Sequence, residues 1–135
     1  MTSNPTRPFV LTLTLACALG LVLALPAAAH QCVDVTITSA PSSASAGGQI
    51  AVSGTVRNCG DPASAFTVSW ILAGGDGRRI TLLEKLVTAD PGETVAISDT
   101  LFIPSSVPSG SYTLVLKGVA PSGFTDTDST PLTIL

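Results

Sequence analysis

Phe66-Thr67-Val68-Ser69-Trp70-Ile71-Leu72 is the stretch whose reading decides the fold. Phe66, Val68, Trp70 and Leu72 recur at every second position, the period of a strand with one buried face. A helix would need apolar residues at i, i+3, i+4 and i+7, and no long window of the sequence provides them. The run stops at Gly74-Gly75-Asp76-Gly77, a turn signal. Trp70, in the middle of the row, is the expected centre of a core.

The same pattern extends in both directions. Upstream, Ile50, Val52, Gly54 and Val56 share one face, with Ala51, Ser53, Thr55 and Arg57 on the other. Before them Val33, Val35 and Ile37 alternate with Asp34, Thr36 and Thr38. Downstream, residues 80–87 form a further strand whose alternation falters at Leu82-Leu83, which predicts a bulge or a change of sheet. Asp90-Pro91-Gly92 is a turn. Val95, Ile97 and Leu101 mark a fifth strand, Tyr112, Leu114 and Leu116 a sixth, and Leu132 and Ile134 a seventh. About seven short strands with regular turns predict an all-β, immunoglobulin-like, two-sheet antiparallel sandwich. Two sheets are needed because a single one would leave an apolar face in water.

The N-terminus has a different character. Arg7 precedes an apolar run over residues 9–25, and Pro26-Ala27-Ala28-Ala29 closes it with small residues. This is the layout of a secretory signal, with cleavage expected between Ala29 and His30. A run of this length is at the lower edge of what spans a bilayer, and Thr12, Thr14 and Gly20 dilute it. Thr14-Leu15-Ala16 before Cys17 is a poor lipidation signal. The expectation is therefore a cleaved segment, residues 1–29, and one domain, residues 30–135, secreted or periplasmic and without stable membrane insertion.

That domain carries five bases against nine acids, a net charge of −4. Nucleic acid is not an expected partner, because neutralising phosphates takes a basic surface. Cys32 and Cys59 are its two cysteines. In an exported domain such a pair reads as a disulfide. One cysteine precedes the first strand and the other follows the second, so antiparallel neighbours would bring both to one end of the sandwich.

The span from Val33 to Leu116 resembles the CARDB modules, cell-adhesion-related immunoglobulin-like domains found in bacteria. The resemblance rests on Val33-Asp34-Val35-Thr36-Ile37 and on Gly48 opening a second strand that ends in Asn58-Cys59-Gly60. It continues through Phe66-Thr67-Val68-Ser69-Trp70 and Pro108-Ser109-Gly110-Ser111-Tyr112-Thr113-Leu114. It implies a seven-stranded sandwich in extracellular or cell-surface proteins, generally without a catalytic role. The chain departs from the family after Leu116, where residues 122–128 carry acids but no asparagine pair.

Chemistry-bearing residues are sparse. His30 is the one histidine, and at a processed N-terminus its imidazole and free amine together would chelate copper, although no second histidine supports them. Asp126 and Asp128, with Asp90 or Asp61, are candidate calcium ligands, since that ion takes loop oxygens. A Ser-His-Asp arrangement would need His30 on a fixed element. Gly74-Gly75-Asp76-Gly77 lacks the Lys-Ser/Thr of a phosphate loop. Sugar stacking would fall to Phe102 and Phe124 alone, and Arg78-Arg79 reads as a charged hairpin tip. No enzyme chemistry and no cofactor are expected. The sequence points to an exported binding module that contacts protein through loops or an edge strand. Copper or calcium binding, and inhibition of a secreted hydrolase, are the alternatives.

Overall fold

The computed structural model describes residues 30–135, and the expected signal, residues 1–29, lies outside them. The described residues contain no helix, and so none long and apolar enough to cross a membrane. Eight strands are present: β1 (Val33–Ser39), β2 (Ser43–Ala44), β3 (Gln49–Asn58), β4 (Ser64–Gly74), β5 (Arg79–Ala89), β6 (Thr94–Phe102), β7 (Gly110–Val119) and β8 (Thr125–Ile134). They form a three-stranded sheet, β1-β3-β6, and a five-stranded sheet, β2-β8-β7-β4-β5. The expected two-sheet sandwich is the observed one.

Alternating inner rows build the core between the sheets. β4 contributes Phe66, Val68, Trp70 and Leu72, each at most 1% exposed. Val52, Val56, Ile97 and Leu101 of the narrow sheet face them, and Leu114, Leu116 and Leu132 extend the wide sheet's row. Two glycines on the inner rows let the sheets come close. A Cβ at Gly54 would stand 2.9 Å from Leu116 Cδ2, and one at Gly118 would stand 2.8 Å from Val35 Cγ1. The register shift between β4 and β5 leaves Leu82 without a partner, the bulge expected at Leu82-Leu83.

The structure differs from the sequence reading in three places. The strand count is eight because residues 43–44 pair in parallel with Thr133 and Ile134. Two residues are too few to carry a period. The last strand begins at Thr125, seven residues before Leu132, because its inner row opens with Asp126 and Asp128 instead of aliphatics. Strict alternation also fails in β4, where Ile71 on the outer face is 7% exposed. It is paired with Val115 and flanked by strands on both sides, so neighbouring side chains cover it.

The Asp99 carboxylate reaches the core from β6. Trp70 Nε1 donates to Asp99 Oδ2 at 3.0 Å, and Lys85 Nζ meets Asp99 Oδ1 at 2.6 Å. The indole N–H cannot be buried unpaired without a penalty, and the inward carboxylate of β6 accepts it. Replacing Trp70 by alanine removes the largest core side chain and its anchor to the opposite sheet. Trp70→Ala is expected to lower stability by about 3–5 kcal/mol. Urea unfolding measures the loss, and because Trp70 is the sole tryptophan, blue-shifted emission of the native protein checks its burial directly.

Candidate functional site

Segments 30–32, 59–63, 90–93 and 120–124 meet at one end of the sandwich, and a buried asparagine organises two of them, 59–63 and 90–93. Asn58, at the end of β3, is 0% exposed. Its Nδ2 donates to Pro62 O at 2.8 Å and Ala89 O at 3.0 Å, and its Oδ1 accepts from Gly60 N at 2.9 Å. Its backbone N–H donates to Glu93 O, and its carbonyl accepts from Gly92 N. A side-chain amide has both donors and acceptors, which is why one residue can take a backbone N–H and two carbonyls at once. Gly60 is required beside it, because a Cβ there would overlap the His30 carbonyl.

Cys32 and Cys59 form a disulfide, 27 residues apart in sequence with Cα atoms 4.9 Å apart. Both lie at this end, as the antiparallel pairing of β1 with β3 requires. Cys59 N donates to Cys32 O and Asp61 N to His30 O, so residues 30–32 continue alongside 59–61. Gln31 extends the network, its Oε1 accepting from Ser122 N at 2.6 Å. The 120–124 turn closes on itself through Gly123 N to Ala120 O and Ala120 N to Phe124 O, with Gly123 at φ +95°. In the 90–93 turn, Asp90 N donates to Glu93 Oε1.

The loops therefore form a braced platform. Phe124 stands out from it, 43% exposed. Asp61, Asp90 and Glu93 give it an acidic rim. At the opposite end, residues 39–41, 43–45 and 48–51 with Leu135 line an open groove of about 650 Å³. A smaller cleft of about 200 Å³ there includes Asp76, Arg78 and Tyr112. Arg78 sits at the β4–β5 tip with Asp76, as an exposed pair at 3.8 Å.

The metal candidates are dispersed. Asp126 and Asp128 lie in β8, not in a loop, and their carboxylates are engaged: Asp126 Oδ2 accepts from Val35 N at 2.9 Å and Asp128 Oδ2 from Ile37 N at 2.8 Å. Asp61 and Asp90 belong to two separate turns. His30 is exposed at the start of the described residues. Among the described residues, no three His, Cys, Asp or Glu side chains come together. Of the aromatic candidates, Phe124 is on the platform, whereas Phe102 is 55% exposed at the far end of β6.

No protein-family model matches the sequence, and no curated protein matches it. Solved structures do. The CARDB domain of the PF1109 protein from Pyrococcus furiosus, in complex with di-metal ions, is similar over 78% of this chain and 89% of that one, at 12% identity and a TM-score of 0.57. The fold is CARDB-like. A β-glucosidase from Listeria innocua, in complex with isofagomine, matches 78% of this chain at 15% identity and a TM-score of 0.59. This chain spans only 16% of that enzyme's length. Spo0M, a sporulation control protein from Bacillus subtilis, matches 80% of this chain and 50% of its own at 16% identity and a TM-score of 0.51. At these identities the likeness is one of fold.

Asparagine 58 and the disulfide yield separable expectations. Asn58→Ala leaves Gly60 N–H, Pro62 O and Ala89 O without their partner, so it is expected to cost about 2–4 kcal/mol. Asn58→Asp should be no better, since a carboxylate would face two carbonyls. Cys32→Ser/Cys59→Ser is expected to cost about 3–4 kcal/mol on the chain-entropy account. Denaturant titration of each variant, with circular dichroism reporting a retained fold, gives the values.

Proposed function

We propose that residues 30–135 form an exported, non-catalytic module that contacts a protein partner through the platform at the disulfide-tied end. The observation that carries this reading is the bracing of that end: an asparagine, a disulfide and Gln31 fix four segments from which Phe124 projects. Binding residues tend to sit on loops held by a rigid scaffold. An aromatic anchor within a polar rim is what the centre of a protein interface commonly contains. The disulfide accords with an oxidising compartment, as does the signal-like layout before His30. The CARDB-like fold supports a binding role, and in the Listeria enzyme the similar portion is a small fraction of the chain.

Two measurements test the reading. Protein recovered from the exported fraction should have an intact mass beginning at His30; a mass retaining residues 1–29 removes export with cleavage from the proposal. A photo-crosslinking residue at position 124 should give a discrete protein adduct in the producing cell, competed away by excess unmodified domain. Phe124→Asp should abolish that competition while shifting stability by no more than about 0.5 kcal/mol. Adducts formed instead from Leu86, 70% exposed on the edge strand β5, would move the contact to the strand edge and reject the platform.

A further inference from the structure

β1 is an edge strand. Alternate residues of an edge turn their backbone N–H and C=O away from the sheet, where another strand can pair with them. Val35 and Ile37 of β1 turn their N–H groups outward in this way, and both are taken by side chains from the other sheet. Asp126 and Asp128 are two residues apart in β8, as Val35 and Ile37 are in β1, and residues two apart advance by about 6.6 Å in either strand. The match is therefore repeated, not accidental to one pair. It also has a direction. Lower number meets lower and higher meets higher, so β8 runs beside β1 in parallel.

The same strand completes the job with its backbone further along. After β1 the chain crosses over at residues 40–42 and becomes β2, which pairs with β8 in parallel through Ser43 with Thr133 and Ala44 with Ile134. Thr133 N donates to Ser42 O and Leu135 N to Ala44 O. Where the sheets are joined, β8 uses its main chain; where they have parted, it reaches β1 with carboxylates. Gly118 makes the reach short enough, since any Cβ there would press on Val35 and Val33.

We propose that Asp126 and Asp128 are an edge guard: their carboxylates take the place of a fourth strand along β1 and keep a second copy of this chain from adding to the three-stranded sheet. A second copy is the occupant because β1 is self-complementary about Thr36. In an antiparallel pair centred there, Val35 faces Ile37 of the other copy and can exchange both backbone bonds. Thr36 meets Thr36 and no like charges oppose each other; the match ends at Ile37, because the bulge after it leaves Thr38 without a partner in β3.

The test compares Asp126→Ala/Asp128→Ala with Asp126→Asn/Asp128→Asn. The asparagine pair keeps an acceptor oxygen at each position and should sediment as the wild type does. In dilute alanine variant, the Val35 and Ile37 amides should exchange about tenfold faster or more than in the wild type, while Thr36, paired to Thr55 of β3, keeps its protection. At high concentration the alanine variant should gain a larger sedimenting species, and the two amides should regain protection. Asp128→Ala alone, freeing only the Ile37 amide, carries the same comparison if the double variant does not fold. Exposed amides in a variant that sediments as the wild type at every concentration would overturn the proposal, as would unchanged exchange at both positions.

Discussion

A three-stranded sheet covers only part of a five-stranded one, so the sandwich must settle what happens along the two seams where the sheets part. Backbone pairing cannot do it, because the sheets are separated there by the thickness of the core. Side chains cross the gap instead, and the two seams use different chemistry. On the β1 side, carboxylates of β8 accept backbone N–H groups, a charge-assisted bond stronger than a neutral one. On the other side, Asp99 of β6 takes both the Lys85 ammonium from β5 and the Trp70 indole N–H from β4. Core packing sets the distance between the sheets, and these carboxylates tie the two together along both seams.

The second seam also bears on where a partner can dock. β5 and β6 are the edges on this side of the sandwich, and each turns one charge inward, Lys85 and Asp99. An inward charge on an edge strand discourages pairing with another chain, because the newcomer would have to accommodate it. The Leu82 bulge adds local twist to β5, with the same effect. At the disulfide-tied end the design is reversed: no strand edge is offered, and the side chains that project do so from turns held by hydrogen bonds of their own backbone. A rigid platform loses little freedom on binding, which is where preformed interfaces gain affinity. Guarded edges and a braced end are consistent with contact through loops.

How much of this was legible in the sequence depended on whether a residue's role follows from its neighbours in the chain. The inner row of β4, the bulge at Leu82 and the turns at residues 90–92 and 74–77 are local, and period and turn chemistry expose them. The disulfide was legible because residues 30–135 contain two cysteines, which leave one pairing. Asn58 was visible only as part of an Asn-x-Gly ending; its burial depends on Pro62 and on Ala89, 31 residues away. Asp126 and Asp128 misled. In a stretch rich in Gly, Ser, Thr and Asp they read as loop acids, because their partners in β1 lie 91 residues earlier. Pro131 lies in the same strand. Proline is tolerated in β8 near its end, where β2 covers only the last residues of the edge.

The misreading shows how a polar residue on an inner row should be weighed. Alternation assigns Asp126 and Asp128 to the same face of β8 as Leu132 and Ile134, and Asp99 to the same face of β6 as Ile97 and Leu101. An aspartate on the inward face of a strand must find donors or bear the cost of desolvation. In a sandwich, the donors within reach of such a position are the far sheet's edge N–H groups, an indole N–H or an inward ammonium. All three occur here, and each joins a strand of one sheet to a strand of the other. Inward acids in a short β sequence therefore mark the lines along which two sheets meet, which the apolar pattern alone cannot locate.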